Sequence, residues 1–340
     1  MKNRISQIIS RLFQSIPSII GIIIISFLLT RALPGDPAVY FAGAMADEES
    51  INEVRISLGL DKGIIEQFFI YVQNLAQGNL GMSLNTGVPV LEEITTRLPA
   101  SLELTLIGLF FAIIIAIPLG ILSATKPGSV IDHITRVIVT MGVSLPTFFT
   151  GLFLIYIFYF LLGIAPSPIG RLDIIYFSPP HVTGFYTIDS LLAGDTETFF
   201  ASLRQLILPS LTLGIFALAP IARMTRASML NALSSDYVRT AKANGLPQRK
   251  ILITYALRNS FLSILTTLGM VFSFLLGANV LVEKVFSWPG IGSFAIEALV
   301  SSDYAAVQGF VLTMAMLFVL VNLLIDIVLT LIDPRVSIDN

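Results

Sequence analysis

Residues 236–260, DYVRTAKANGLPQRKILITYALRNS, form a polar, basic segment set between two apolar stretches. Their order predicts two short helices joined at Gly245. Ser234, Ser235 and Asp236 offer N-cap oxygens for the first helix. Gly245 suits the left-handed C′ position that ends it. Pro247 suits the first turn of the second, where a missing N–H costs nothing. Ala241 and Gly245 stand four residues apart, so one face of the first helix carries almost no side chain. Arg239, Lys242, Arg249 and Lys250 surround that face with positive charge. A face of this kind lets a protein surface approach closely.

The apolar stretches on either side set the class of the whole chain. Apolar residues make up 55% of its 340 residues and charged residues 12%, against about 25% charged in a soluble domain. The reading is an all-α polytopic membrane protein. Six apolar spans, at about 12–30, 101–124, 135–162, 205–222, 260–282 and 308–332, are each near the roughly 20 residues that cross a bilayer. Lys2, Arg4 and Arg11 precede the first, and the sequence RALPGDP after it is no small-residue cleavage site, so this helix reads as retained. A net charge of −2 leaves no basic excess for nucleic acid. With no cysteine and only His133 and His181, no thiolate chemistry and no metal site are expected.

Lys and Arg set the orientation. Most of the 20 basic residues, among them Lys126, Arg136, Arg223, Arg226 and those of the 236–260 segment, fall on one side if the N-terminus is cytoplasmic. Arg31, Arg55, Lys62, Arg97, Arg171, Arg204 and Lys284 are spread over long, mostly acidic segments on the other. Both termini are therefore placed in the cytoplasm. The parts are then 1–30, cytoplasmic N-terminus and first span; 31–100, an external helical domain; and 101–335, a five-helix core with an external loop at 163–203 and a cytoplasmic loop at 223–259.

In the first external segment Ile51, Val54, Leu58, Ile64, Phe68, Tyr71, Val72 and Leu75 recur at helical spacing, predicting two amphipathic helices broken at Gly59. Pro146 interrupts the third span within SLPTF, residues 144–148. It frees a carbonyl and kinks the helix, for packing or to line a pathway. Arg223 and Arg226 follow Pro220, predicting a bend where the fourth span leaves the membrane. Asp173, Asp189, Asp195 and Glu197 of the second external loop read as solvated carboxylates or as contacts for an external protein. Asn279 and Glu283 lie at the outer end of the fifth span, and Trp288, the only tryptophan, follows in a turn expected at the membrane interface. Asn322 and Asp326 share one face of the last span. Asp326 is expected to reach headgroups or a neighbouring arginine rather than to act in the membrane.

The run Arg239-Thr240-Ala241, Gly245 and Ile253 to Arg258 resembles the EAA loop of bacterial ABC-importer permeases, in the variant of the dipeptide and oligopeptide (peptide/nickel) transporters. Arg239 stands for the family's Glu, Thr240 for its middle Ala, and Leu257-Arg258 for its Leu-Pro. LGLDK at 58–62, RLPASLEL at 97–104, FSWPGIG at 286–292 and Asp333-Pro334-Arg335 extend the similarity over most of the chain. The resemblance implies the type I ABC-importer permease fold and a short coupling helix docked in a cytoplasmic ATPase. It assigns that contact to Asp236, Arg239, Ala241, Lys242, Gly245, Leu246 and Arg249. It implies a second homologous permease, two ATPase subunits that carry ATP and Mg, an extracytoplasmic substrate-binding protein, and the cytoplasmic membrane of a bacterium or archaeon. This chain would bind no cofactor itself. Peptides are the implied cargo, with nickel or glutathione as alternatives. Candidate pathway residues are Ser144, Pro146, Thr147 and Asn279.

No Walker-type phosphate loop, HExxH or Gly-x-Ser-x-Gly occurs in the sequence, so energy is expected from a partner. The competing class is an ion-gradient-driven secondary transporter, which calls for buried mid-span charges that this sequence almost lacks.

Overall fold

The structure is a computed structural model that describes residues 4–32, 36–43, 46–57 and 59–332. Leu58 and the Asp333-Pro334-Arg335 helix stop lie outside the described residues. The chain begins with α1 (Arg4–Ala32), followed by the short α2 (Pro37–Ala42), α3 (Glu48–Ser57) and α4 (Ile64–Ala76). Gly59, with a φ of +63°, takes the turn between α3 and α4. The long α5 (Val90–Thr125) is followed by α6 (Val130–Ser144) and α7 (Thr147–Leu154), which loosens into a π-helical turn at Ile155–Leu161. Next come α8 (Tyr186–Leu192) and the 38-residue α9 (Thr196–Leu233). After the elbow of α10 (Asp236–Ala243) and α11 (Gln248–Lys250), a second π-helical segment, Ile251–Leu257, leads into α12 (Arg258–Val285). The chain closes with α13 (Ile291–Val300) and α14 (Tyr304–Ile332).

Among the described residues four helices are long and apolar enough to cross a membrane: α5, α9, the continuous run Gln248–Val285, and α14. A fifth span results if α6 and α7 count as one. The apolar part of α1, Leu12–Leu28, is shorter, and α1 packs along α14. The most apolar stretch of α9 is 72% buried and that of α14 only 6%, so α9 is the central helix and α14 lies at the edge.

Small residues make the centre possible. On α5 Gly108, Ala112, Ala116, Gly120 and Ala124 recur every four residues, and all are buried. Within a bilayer, van der Waals packing rather than water exclusion holds helices together, and small side chains let two backbones approach. A Cβ on Gly120 would lie 2.6 Å from Cβ of Thr225 on α9, and one on Gly108 would lie 2.9 Å from Cβ of Leu213. Leu104, Leu213, Ala217 and Ile221 fill the remaining space.

Three features differ from the sequence expectations. The fifth-span helix has no break after Pro247: Gln248–Val285 is continuous, because no proline or glycine interrupts it before Gly269. The second short helix of the elbow is thus the root of a span. The fourth span does not stop at Pro220. α9 runs through Pro209 and Pro220 to Leu233, and its last turns pack Met229 and Ala232 against Ala124 and Ala256. The helix is thus continuous past the two N–H groups that Pro209 and Pro220 lack. Finally, α5 starts at Val90, so residue 100, drawn as the end of an external domain, falls inside it.

Candidate functional site

The elbow at 234–257 is built from local rules. Ser235 occupies the N-cap of α10 with extended geometry, yet no serine oxygen caps the helix. Ser235 Oγ donates instead to the carbonyl of Ala232, and Ser234 Oγ to that of Asn231, so both hydroxyls serve the end of α9. At the other end, Gly245 has a φ of +71°. Its N–H donates to Lys242 O at 3.0 Å, and Leu246 N–H donates to Ala241 O at 3.2 Å. These are the two bonds of a Schellman cap. Leu246 folds back with Val238, Ala241 and Ile251 into a small apolar cluster.

That cluster corrects the reading of Ala241. Its side chain is 3% exposed and faces Ile251 of its own chain, because the i,i+3 pair Val238 and Ala241 forms the inner face of α10. The open edge is at Gly245, where an added Cβ would meet no atom within 4 Å among the described residues beyond its chain neighbours. Around it Asp236, Arg239, Lys242, Arg249 and Lys250 are exposed, and Arg239 reaches Asp236 at 3.3 Å on the surface. Leu246 is half-buried beneath them.

The root of the elbow is tied to the rest of the bundle. The Asp132 carboxylate, at the start of α6, is 1% exposed. It accepts from Arg226 Nε and Nη2 on α9, both at 2.8 Å, from Ser123 Oγ on α5, and from the N–H of Gly128. One carboxylate thus joins three helices on the end of the bundle that carries the elbow. α6 then runs to Leu145 and Pro146, where the chain turns by 102° into α7. This is a break rather than a kink. Pro146 cannot continue α6 and disfavours helical geometry at Leu145, which has a ψ of 138°. Ser144 and Pro146 are exposed at the break and Thr147 is half-buried. Asn279 is elsewhere. It is 1% exposed, and Nδ2 donates to Ser101 O, Thr105 Oγ1 and Glu283 Oε1 within the α5–α12 contact.

At the opposite end of the bundle the structure brings together groups that the sequence did not. Glu283 is fully buried and accepts from Ser101 Oγ, Asn279 Nδ2 and the N–H of Ser293. Trp288 is 1% exposed and donates Nε1 to Ala100 O, so the lone tryptophan packs the 286–290 turn against α5 instead of presenting its ring on the protein surface. Arg171, 7% exposed, pairs with Glu103 at 2.7 Å and lies 3.5 Å over the ring of Tyr186. Asp189 is buried rather than solvated, and it binds Thr183 and the N–H groups of Val182 and Gly184. Asp195 caps α9 through Thr198 N–H. Asn322 donates to Phe318 O, and it lines one groove with Asp326 and with Gln14, Ser15 and Ser18 of α1. The signal available for Glu103 and Asp132 was a carboxylate set in or beside an apolar span. Both are buried and hydrogen-bonded, Asp132 in the first turn of α6 and Glu103 inside α5, where Arg171 and Thr187 satisfy it.

Comparison with known proteins follows this geometry. A family model described as the binding-protein-dependent transport system inner membrane component matches residues 116–338, and its N-terminal companion matches residues 5–105. The chain is 44% identical to a probable D,D-dipeptide transport system permease protein, DdpB of Escherichia coli (strain K12), over 93% of each sequence. It is 43% identical to the di/tripeptide transport system permease protein DppB of Pseudomonas aeruginosa (strain UCBPP-PA14), over 98% of each. Among solved structures it is similar to an inward-facing form of the MetNI methionine ABC transporter, with a TM-score of 0.51 and 17% identity over 69% of this chain and 93% of that one. At that identity the likeness concerns the fold. With its Schellman-capped elbow, its broken span and both family matches, the chain belongs to the inner membrane components of binding-protein-dependent transport systems, the permeases of ABC importers.

Proposed function

We propose that this chain is the permease subunit of an ATP-driven importer of di- or oligopeptides. The observation that carries the proposal is the elbow, a charged, self-supported knob whose Gly245 edge is open and whose root is fixed to α5, α6 and α9. A solvated loop needs neither the Schellman cap nor the small core beneath it. Peptide cargo is supported by the relatives described above.

In this reading the chain crosses the cytoplasmic membrane of a bacterium or archaeon six times, with α1 as the first span, the α6–α7 pair as the third and both termini inside. Residues 31–100 form the external helical part, continued by the start of α5, and 163–203 the second external loop. The chain pairs with a second homologous permease, and two ATPase subunits holding ATP and Mg receive the two elbows. An external binding protein delivers the peptide. When the ATPases close, each pulls on its elbow through Asp236, Arg239, Lys242, Gly245 and Arg249. The Asp132–Arg226 pair passes the displacement from α9 to α6 and so to the break at Leu145-Pro146. Ser144, Pro146 and Thr147 then line the moving pathway. Asn279 supports it from behind, and Ala241 and Leu246 hold the knob in shape.

The test is reconstitution of the chain with its partner permease, ATPases and binding protein in liposomes. ATP-dependent accumulation of a labelled dipeptide, absent without the binding protein, is expected. Uptake that follows an ion gradient and ignores ATP would establish the secondary-transporter reading. ATP-driven uptake of nickel or glutathione in place of dipeptide would reassign the cargo.

A further inference from the structure

A cleft of about 400 Å³ opens at the end of α9 farthest from the elbow, within the roughly 300–1,000 Å³ range of small-molecule sites. One wall is a single face of α9, formed by Glu197, Phe200, Arg204 and Gln205. The other comes from the preceding loop, through Asp173 and Tyr176. Two carboxylates and one guanidinium thus face one space, and among the described residues Arg204 forms no ion pair with either acid or with any other group. Gln205 adds an independent observation. Its side chain is 6% exposed and its Nε2 has no hydrogen-bond partner. A buried amide donor left empty costs about 1–3 kcal/mol unless something else accepts from it.

We propose that this cleft is a subsite for a free zwitterionic peptide. The ammonium group pairs with Asp173 and Glu197, the carboxylate with Arg204, an apolar side chain rests on Tyr176 and Phe200, and a peptide carbonyl accepts from Gln205 Nε2 once that amide, inward-facing and unpartnered in this structure, turns toward the cleft. The charges match a peptide with both termini free. The rim is open, with Glu197 and Arg204 exposed, so binding is weak and release is fast. The site lies on the side where, in the reading above, the binding protein unloads its cargo, and it rests on that reading.

The experiment uses the assembled transporter in nanodiscs, without its binding protein, and L-alanyl-L-phenylalanine as probe. Saturable binding is expected, weakened about tenfold or more by N-acetylation or by amidation of the C-terminus. Arg204→Gln abolishes the distinction between acid and amide. Asp173→Asn with Glu197→Gln abolishes that between free and acetylated amine. The subsite is overturned by absence of saturable binding, by discrimination that these variants leave unchanged, or by variants that shift only the binding-protein concentration needed to stimulate ATP hydrolysis, which would make the cleft a docking surface. Uptake of the same dipeptide by the complete wild-type system separates the two levels. If uptake is intact while the cleft fails, only the subsite falls. If dipeptide is never taken up, the peptide reading falls with it.

Discussion

Trp288 Nε1 donates to the carbonyl oxygen of Ala100 at 3.0 Å, across 188 residues of sequence. The bond fixes the 286–290 turn against α5. Because this is the chain's only tryptophan, it reports on itself. Emission from the purified chain should be blue-shifted and resist iodide and acrylamide. Trp288→Phe leaves the Ala100 carbonyl without its partner and should lower stability by about 1–3 kcal/mol in a detergent melt. Emission typical of a solvated indole, freely quenched, contradicts the packing.

The second prediction concerns the link between elbow and break. Asp132→Ala removes the acceptor that Arg226, Ser123 and Gly128 share. Breaking a buried pair on one side costs about 3–5 kcal/mol. If enough complex survives, ATP hydrolysis should persist while uptake falls. Replacing both partners, as Asp132→Leu with Arg226→Met, should restore stability but not the ratio of transport to hydrolysis. A double variant with a normal ratio would mean that the pair only holds the fold.

Asp189 predicts a pH dependence in the second loop. Burial pushes its carboxyl upward, but the hydroxyl and N–H of Thr183, with the N–H groups of Val182 and Gly184, outweigh burial and hold it below the ordinary 3.8. Its contribution to loop stability is therefore complete above that value and is lost as the pH falls through the lower folded value. Hydrogen-exchange protection in residues 181–195, taken relative to the unfolded chain at the same pH, should be high at neutral pH and fall only in strong acid. Asp189→Asn should show low protection at both. Protection in the native chain that already falls near pH 6 would refute the assignment.

Orientation is tested with single cysteines, since the chain has none of its own. Glu49, Asp195 and Lys242 are all exposed. In intact cells a membrane-impermeant thiol reagent should label Glu49→Cys and Asp195→Cys and spare Lys242→Cys. Labelling of the last from outside would reverse the elbow's side.

Local rules were legible in the sequence where chemistry is local. The left-handed Gly245 and the interruption at Pro146 follow from one residue's allowed backbone, and the stretches near α9 and α14 from simple apolar length. What could not be read was direction. Ala241 looked like half of an open face because spacing says which residues share a side of a helix, not which side the rest of the chain covers. Trp288 and Asp189 were placed at a surface by residue type, whereas partners far along the chain or around the next turn buried them. The Arg171–Glu103 and Asp132–Arg226 pairs, 68 and 94 residues apart, needed the fold to become visible.

The most direct test of the elbow is substitution at Gly245. Among the described residues, Gly245's own chain neighbours apart, no atom lies within 4 Å of an added Cβ, so a steric penalty beyond backbone strain points to a partner. Gly245→Val also strains the left-handed backbone by about 1–2 kcal/mol, whereas Gly245→Asn tolerates that conformation and isolates the contact. Both variants are expected to insert at normal levels and to lose most uptake and most of the ATP hydrolysis stimulated by the binding protein, measured together in proteoliposomes. Normal uptake and normal stimulation in Gly245→Asn and Gly245→Val alike would contradict a coupling role for the elbow.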